Sequence, residues 1–138
     1  MPTGTYQVLV TEIDMAKCQL EPQLMERMGA FAQHFRRDWD SVWATGLILE
    51  GQRIIGIGTL GQVIETESRP IPKIFALWVD PEYRQLGLGL AILNALAQAC
   101  LDHYGLAATV DAFTAAGMRL CDKAKAAGIR LAVVDFTD

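Results

Sequence analysis

Leu77-Trp78-Val79-Asp80-Pro81-Glu82-Tyr83-Arg84-Gln85-Leu86-Gly87-Leu88-Gly89-Leu90 reads as the end of a buried strand, a tight Asp-Pro turn, a glycine-bearing loop and the opening of a helix. Such a loop leaves backbone N–H groups pointing outward at the positive end of a helix dipole, a seat for a pyrophosphate. Gly87 and Gly89 let the backbone approach the anion closely, and Arg84 adds a positive charge. The glycines alone also suit an ordinary strand-to-helix turn. It is the ordered succession of strand, turn, Tyr-Arg and glycine spacing that points to a binding loop.

The rest of the chain fits one domain, residues 1–138. Its residues are 51% hydrophobic and 20% charged, enough apolar material for a packed core. A formal net charge of -4 argues against a non-specific nucleic-acid binder, which needs a basic face. No window approaches the roughly eighteen apolar residues of a membrane span. Met1-Pro2-Thr3-Gly4-Thr5 lacks a basic segment followed by an apolar run, so no signal peptide is expected. Cys18, Cys100 and Cys121 are odd in number, far apart and without metal-type spacing. Reduced thiols in a cytoplasmic setting are the expectation, with no metal site.

Residues 6–13 alternate apolar and polar as a half-buried strand does. Asp14 suits the cap of a short first helix, and Pro22 suits the first turn of a second. From there Leu24, Met28, Phe31 and Phe35 recur at helical spacing. Residues 43–49 and 53–64 are rich in strand formers and are joined by Glu50-Gly51-Gln52, a hairpin turn. The polar, proline-bearing stretch 65–72 is expected to be a loop. Residues 73–79 form the strand that delivers the glycine loop. A helix follows with Ile92, Leu96 and Cys100 on one side, stopped by Gly105. A short strand over 107–111, an alanine-rich helix over 114–127 and a last strand over 129–136 complete the order β-α-α-β-β-β-α-β-α-β. The fold class is α/β, built on a mixed sheet.

Arg84-x-x-Gly87-x-Gly89 behind a Val-x-Pro-x-Tyr segment resembles the acyl-CoA pyrophosphate loop of the GNAT family of N-acetyltransferases. The element order resembles that family over nearly the whole chain, with its seventh strand apparently absent. The sequence-specific likeness lies between about residues 75 and 96. The resemblance implies an acyl-CoA N-acyltransferase fold whose central strands splay to admit the co-substrate, acetyl-CoA. It implies that Leu77, Trp78 and Val79 offer backbone groups to the pantetheine arm, and that Arg84, Gln85, Leu86, Gly87, Leu88, Gly89 and Leu90 surround the pyrophosphate. Positions 86 and 90, often basic in the family, are leucine here.

Acetyl transfer needs a neutral acceptor amine, a polarised thioester carbonyl and a proton for the departing thiolate. The family pattern of Asn, then Tyr seven residues on, aligns with Thr114 and Cys121. Thr114 is thereby a candidate for cofactor contact, or a helix cap; Cys121 is a candidate acid, or a small buried residue. Asp111, ending the fifth strand, is the candidate for holding or deprotonating the amine, and equally a turn residue. Glu65, Glu67, His34 and His103 read as solvated or rim groups, Tyr83 as structural and Tyr104 as distant. In the family, the region of Phe31, Phe35, Trp39 and Trp43 forms the acceptor side. Two readings follow. One is an enzyme moving an acetyl group to an amine by direct attack. The other is a catalytically weak module that binds acyl-CoA or joins a homo-oligomer or partner protein through an open sheet edge.

Overall fold

A computed structural model describes residues 6–12, 22–37, 39–64 and 70–137. Among the described residues six strands form one sheet in the order β1-β2-β3-β4-β5-β6. They are β1 (Gln7–Glu12), β2 (Val42–Glu50), β3 (Arg53–Ile64), β4 (Pro70–Val79), β5 (Ala108–Ala112) and β6 (Leu131–Asp135). The helices are α1 (Pro22–Met28), α2 (Ala32–Arg37), α3 (Leu88–Tyr104) and α4 (Ala115–Ala126), with 3-10 turns at Gly29–Phe31, Trp39–Ser41 and Pro81–Tyr83. Strands β1 to β4 pair antiparallel, and β4, β5 and β6 pair parallel. The alternation of types follows the sequence reading. None of the helices among the described residues is long and apolar enough to cross a membrane.

Two details depart from that reading, and one expectation is outside the reach of the structure. The helix expected to run on from Pro22 breaks at Gly29, which takes φ +59 and starts a 3-10 turn, so one expected helix is α1 plus α2. The helix expected after Asp14 lies outside the described residues. Pro70 and Pro72, read as loop, begin β4. Proline is tolerated at the start of a strand and on an edge, and β5 pairs with β4 only from Lys73.

Each face of the sheet buries its own core. On one face Ile92, Leu93, Leu96 and Cys100 of α3 pack with Ile48, Ile55, Leu60, Ile74 and Val79. The helix sits close because glycines face it. A Cβ on Gly58 would lie 2.6 Å from Ile92 Cγ2 and 2.9 Å from Leu96 Cδ1. On the other face Leu24, Met28 and Phe35 cover Leu47, Ile54, Ile57, Ala76 and Trp78. The apolar stripe read from the sequence thus survives the break at Gly29, with Phe31 packed at its margin.

Candidate functional site

Strands β4 and β5 share only two rungs, Lys73↔Thr109 and Ile74↔Val110. Beyond them β4 keeps its antiparallel partner β3, from Thr59↔Ala76 to Gly56↔Val79, and loses its parallel one. A register shift at Thr59/Leu60 leaves Phe75 as the extra residue, a bulge at the point of parting. Bulges bend a strand and sharpen its twist, which turns β4 away from β5. On that side the edge of β4 presents alternate backbone groups with no ladder, those of Leu77 and Val79, the Val79 carbonyl being taken by Arg84. Leu77 and Val79 face the α3 core, while the Trp78 side chain is buried on the opposite face against α1 and α2. The Trp78 backbone lies opposite Ile57, in phase with the Asp80 amide bond to Ile55, so it is turned to β3; the expected contact of Trp78 with the pantetheine arm finds neither its side chain nor its main chain on the cleft side.

At the end of β4 the chain is held from several directions. The Asp80 amide donates to the Ile55 carbonyl at 2.8 Å, and Asp80 Oδ1 accepts from the Glu82 amide at 3.0 Å, capping the 3-10 turn. Its other oxygen, Oδ2, accepts from Arg27 Nη1 at 2.7 Å, with Arg53 Nη2 at 3.8 Å. Arg27 Nη2 also donates to the Ile54 carbonyl at 2.7 Å, and the guanidinium lies 6.0 Å from the Trp78 ring centre. Asp80 is buried, so this charged pair is shielded from water. Tyr83 is buried too, and its hydroxyl donates to Glu50 Oε1 at 2.6 Å. That bond, with burial, pushes the phenol up to about 12, which makes Tyr83 an anchor rather than an acid. The sequence reading missed the role of Arg27 and Asp80. An arginine inside an apolar helical stripe and an aspartate next to a buried strand end were the available signals.

The loop then turns through two left-handed residues, Gln85 at φ 67 and Gly87 at φ 77. The first α3 hydrogen bond among the described cap contacts runs from the Ala91 amide to the Gly87 carbonyl, at 3.1 Å. Gly87, the N-cap, has no side-chain cap, so the amides of the first turn point outward. A Cβ on Gly87 would meet nothing within 4 Å, and one on Gly89 would come no nearer than ordinary contact, 3.5 Å from Leu120 and 3.7 Å from Leu77. The space beside the amides is open. Buried Leu88 roots the helix start, and half-exposed Leu86 lies on the surface. Arg84 Nε donates to the Val79 carbonyl at 2.9 Å, tying the loop to the strand end while the exposed side chain stays at the rim. The loop residues from Arg84 to Leu90 and the strand end from Leu77 to Val79 thus meet at one end of the cleft.

The other predicted residues are distributed differently. Thr114 caps α4, its hydroxyl accepting from the Gly117 amide at 3.0 Å. Cys121 is buried on α4, and burial foremost pushes its thiol up, so the proton stays on sulfur. Asp111 forms an ion pair with Lys73 at the closed end of the cleft. Glu65 and Glu67 lie outside the described residues. His34 is exposed, 5.0 Å from the Phe31 ring. Trp43 departs from its expected neighbours. It stacks on His103 at 4.3 Å, and its indole donates to the Tyr104 hydroxyl at the far end of α3. Trp43, the second residue of β2, lies on the face covered by α3, because alternation turns it away from Phe31 and Phe35. Three or more metal-ligating side chains are nowhere grouped among the described residues.

Parallel strands that part beside a bulge and run into a helix start with outward amides define the acyltransferase fold to which the loop motif points. The chain belongs to the acetyltransferase (GNAT) family, whose family profile matches residues 9–130. No curated protein sequence matches significantly. Among solved structures, the chain is similar to an aminoglycoside acetyltransferase from an uncultured soil metagenomic sample, in complex with sisomicin. The two share 18% identity over 87% of each chain, with a TM-score of 0.65. A predicted acetyltransferase with acetyl-CoA from Clostridium acetobutylicum shares 12% identity over 85% of this chain and 88% of that one, at a TM-score of 0.58. A ribosomal-protein-alanine N-acetyltransferase from Brucella melitensis shares 14% identity over 84% and 89%, at 0.56. At these identities the likeness establishes the fold.

Proposed function

We propose that this protein transfers an acetyl group from acetyl-CoA to an amine by direct attack within a ternary complex. One observation carries the reading: the unladdered edge of β4 and the outward amides of the first turn of α3 are joined by one short connection, the 3-10 turn Pro81–Tyr83 and the left-handed residues Gln85 and Gly87. A pyrophosphate seats on those amides, and an extended pantetheine arm takes the ladder position that β5 leaves vacant. The thioester then lies toward the bulge at Phe75. Its carbonyl is polarised by the unpaired β4 amide that it faces there, and positioning supplies most of the rate. Cys121 holds its proton, which suits a donor to the leaving thiolate and is unlike a resting nucleophile. Water is the alternative donor. Reduced, buried Cys100 and Cys121 suit the cytoplasm.

Titration calorimetry with acetyl-CoA, followed by thiol release in the presence of an amine panel, tests the reading. Saturable binding with amine-dependent release of free CoA is the expected result. Absence of binding at millimolar acetyl-CoA overturns it. A second reading, a binding or assembly module with little turnover, is favoured by one observation. Asp111 is already engaged by Lys73, so the expected acceptor-side base is not free. In that reading β6, the last strand of the sheet with Val134 exposed, takes the edge of a second copy or partner. Tight acetyl-CoA binding without CoA release favours the module.

A further inference from the structure

Lys73 and Asp111 meet where the cleft closes, and their placement speaks to the acceptor. Ile74 and Val110 point into the core beneath α3, so alternation turns Lys73, Thr109 and Asp111 to the opposite face, the side of α1 and α2. Lys73 Nζ pairs with Asp111 Oδ2 and lies 5.6 Å from the Phe75 ring centre. Phe75 is the bulged residue at the parting of the strands. Both charged side chains are mostly covered, at 24% and 18% exposure, so their charges act through less water than surface charges do. Helices α3 and α4 cover the other face of this region. An acceptor reaching a thioester in the cleft comes from the α1–α2 side and meets one cation and one anion, side by side.

Resting on the acetyl-transfer reading, we infer that the acceptor is an amine with an adjacent carboxylate, a free α-amino acid, oriented by the Lys73–Asp111 pair. The ammonium of such a zwitterion lies against Asp111 and its carboxylate against Lys73, head to tail with the resident pair. A polycationic acceptor gains the same carboxylate but meets the like charge of Lys73, which disfavours it. In the reaction the ammonium first loses a proton. The neutral nitrogen bonds to the thioester carbon, the C–S bond breaks, the nitrogen gives up a second proton and the thiolate takes one. The sum is N-acetyl amino acid, CoA and one proton released to water. Lys73 is a specificity residue in this scheme: it holds the carboxylate and touches no reacting atom.

The test compares amino acids with the amines that lack their carboxylate, phenylalanine against phenethylamine and lysine against 1,5-diaminopentane. CoA release is measured for the intact protein and for Lys73→Met and Lys73→Arg. The intact protein should favour each amino acid by about ten-fold in kcat/KM, the scale of one partly buried charge contact. Lys73→Met should bring that ratio close to one by raising the KM for the amino acid, with acetyl-CoA affinity unchanged. Lys73→Arg should keep the preference. Equal or better use of the carboxylate-free amines by the intact protein overturns the inference while leaving acetyl transfer standing. So does an unchanged ratio in Lys73→Met. If acetyl-CoA binds without any turnover, calorimetry of phenylalanine and lysine on the CoA-loaded protein decides, and no binding overturns the inference. Failure of acetyl-CoA to bind at all overturns the acetyl-transfer reading and this inference with it.

Discussion

The two ends of α3 use the same left-handed glycine and put it to opposite ends. Gly87 precedes the helix at φ 77, and Gly105 follows it at φ 71. At Gly105 the helix is closed. The Gly105 amide returns to the Leu101 carbonyl at 2.9 Å, and the Cys100 thiol donates to the Leu106 carbonyl at 3.1 Å. Trp43, His103 and Tyr104 stack around it, and the Tyr104 hydroxyl reaches Gln62 at 3.2 Å. At Gly87 the helix start has no cap and nothing fills the space beside it. One terminus is satisfied from within the fold and the other is left to water or to a ligand, since unmade backbone hydrogen bonds cost free energy unless one of these makes them.

The largest expected effect comes from disturbing what holds the bare end. Arg27→Met leaves Asp80 buried with only the more distant Arg53 beside it, and should cost about 3 kcal/mol. Urea denaturation measures the loss, and calorimetry should show weakened acetyl-CoA binding as the Asp80 turn relaxes. Gly58→Ala comes next. Its methyl group drives into Ile92 and Leu96, at a cost of about 2 kcal/mol. Because the helix moves as a body, both ends should suffer, and acetyl-CoA affinity should fall together with the melting temperature.

A matched pair tests the comparison directly. Gly87→Ala and Gly105→Ala place the same side chain at nearly the same left-handed backbone angle, each costing about 1 kcal/mol of stability. Only Gly87→Ala should reduce acetyl-CoA affinity; equal losses in both variants would show that the two ends are not functionally different. The effect that vanishes at neutral pH comes last, a dependence on alkaline pH at the closed end. Burial raises the Cys100 thiol from an ordinary 9.0 to about 11. The unfolded chain therefore loses that proton first, so the contribution is intact below pH 9 and is lost as pH rises toward 11. Tyr83, pushed up by Glu50, adds a loss of the same sign at higher pH. Cys100→Ala should flatten the lower part of the decline in urea midpoints.

The contrast between the ends was half legible in the sequence. The bare end announces itself through local chemistry, because turn residues, glycines and an arginine lie within a few positions of one another. The closed end does not, since Trp43 and Gln62 reach Tyr104 across 61 and 42 positions. Alternation correctly assigned the strands, and helical spacing placed Leu24, Met28 and Phe35 together. Neither shows which face of a sheet a given residue occupies, which is why Trp43 was grouped with the α2 aromatics. The same limit applies to Asp111. Its position at the end of β5 was readable, while its ion pair with Lys73 depends on the register between two strands 36 positions apart in the pair Lys73↔Thr109. The Arg27–Asp80 pair lies 53 positions apart and was equally invisible.

The short ladder between β4 and β5 has a mechanical consequence. Two rungs form a seam, and a seam that narrow lets the carboxy-terminal plate of β5, α4 and β6 breathe against the four-stranded plate on its other side. Deuterium should enter the β5 amides sooner than those of β2 and β3, whose ladders are long on both flanks. An occupant wedged along the seam would lean on both plates at once, so its arrival would be felt as stiffening in β6, a strand it never touches.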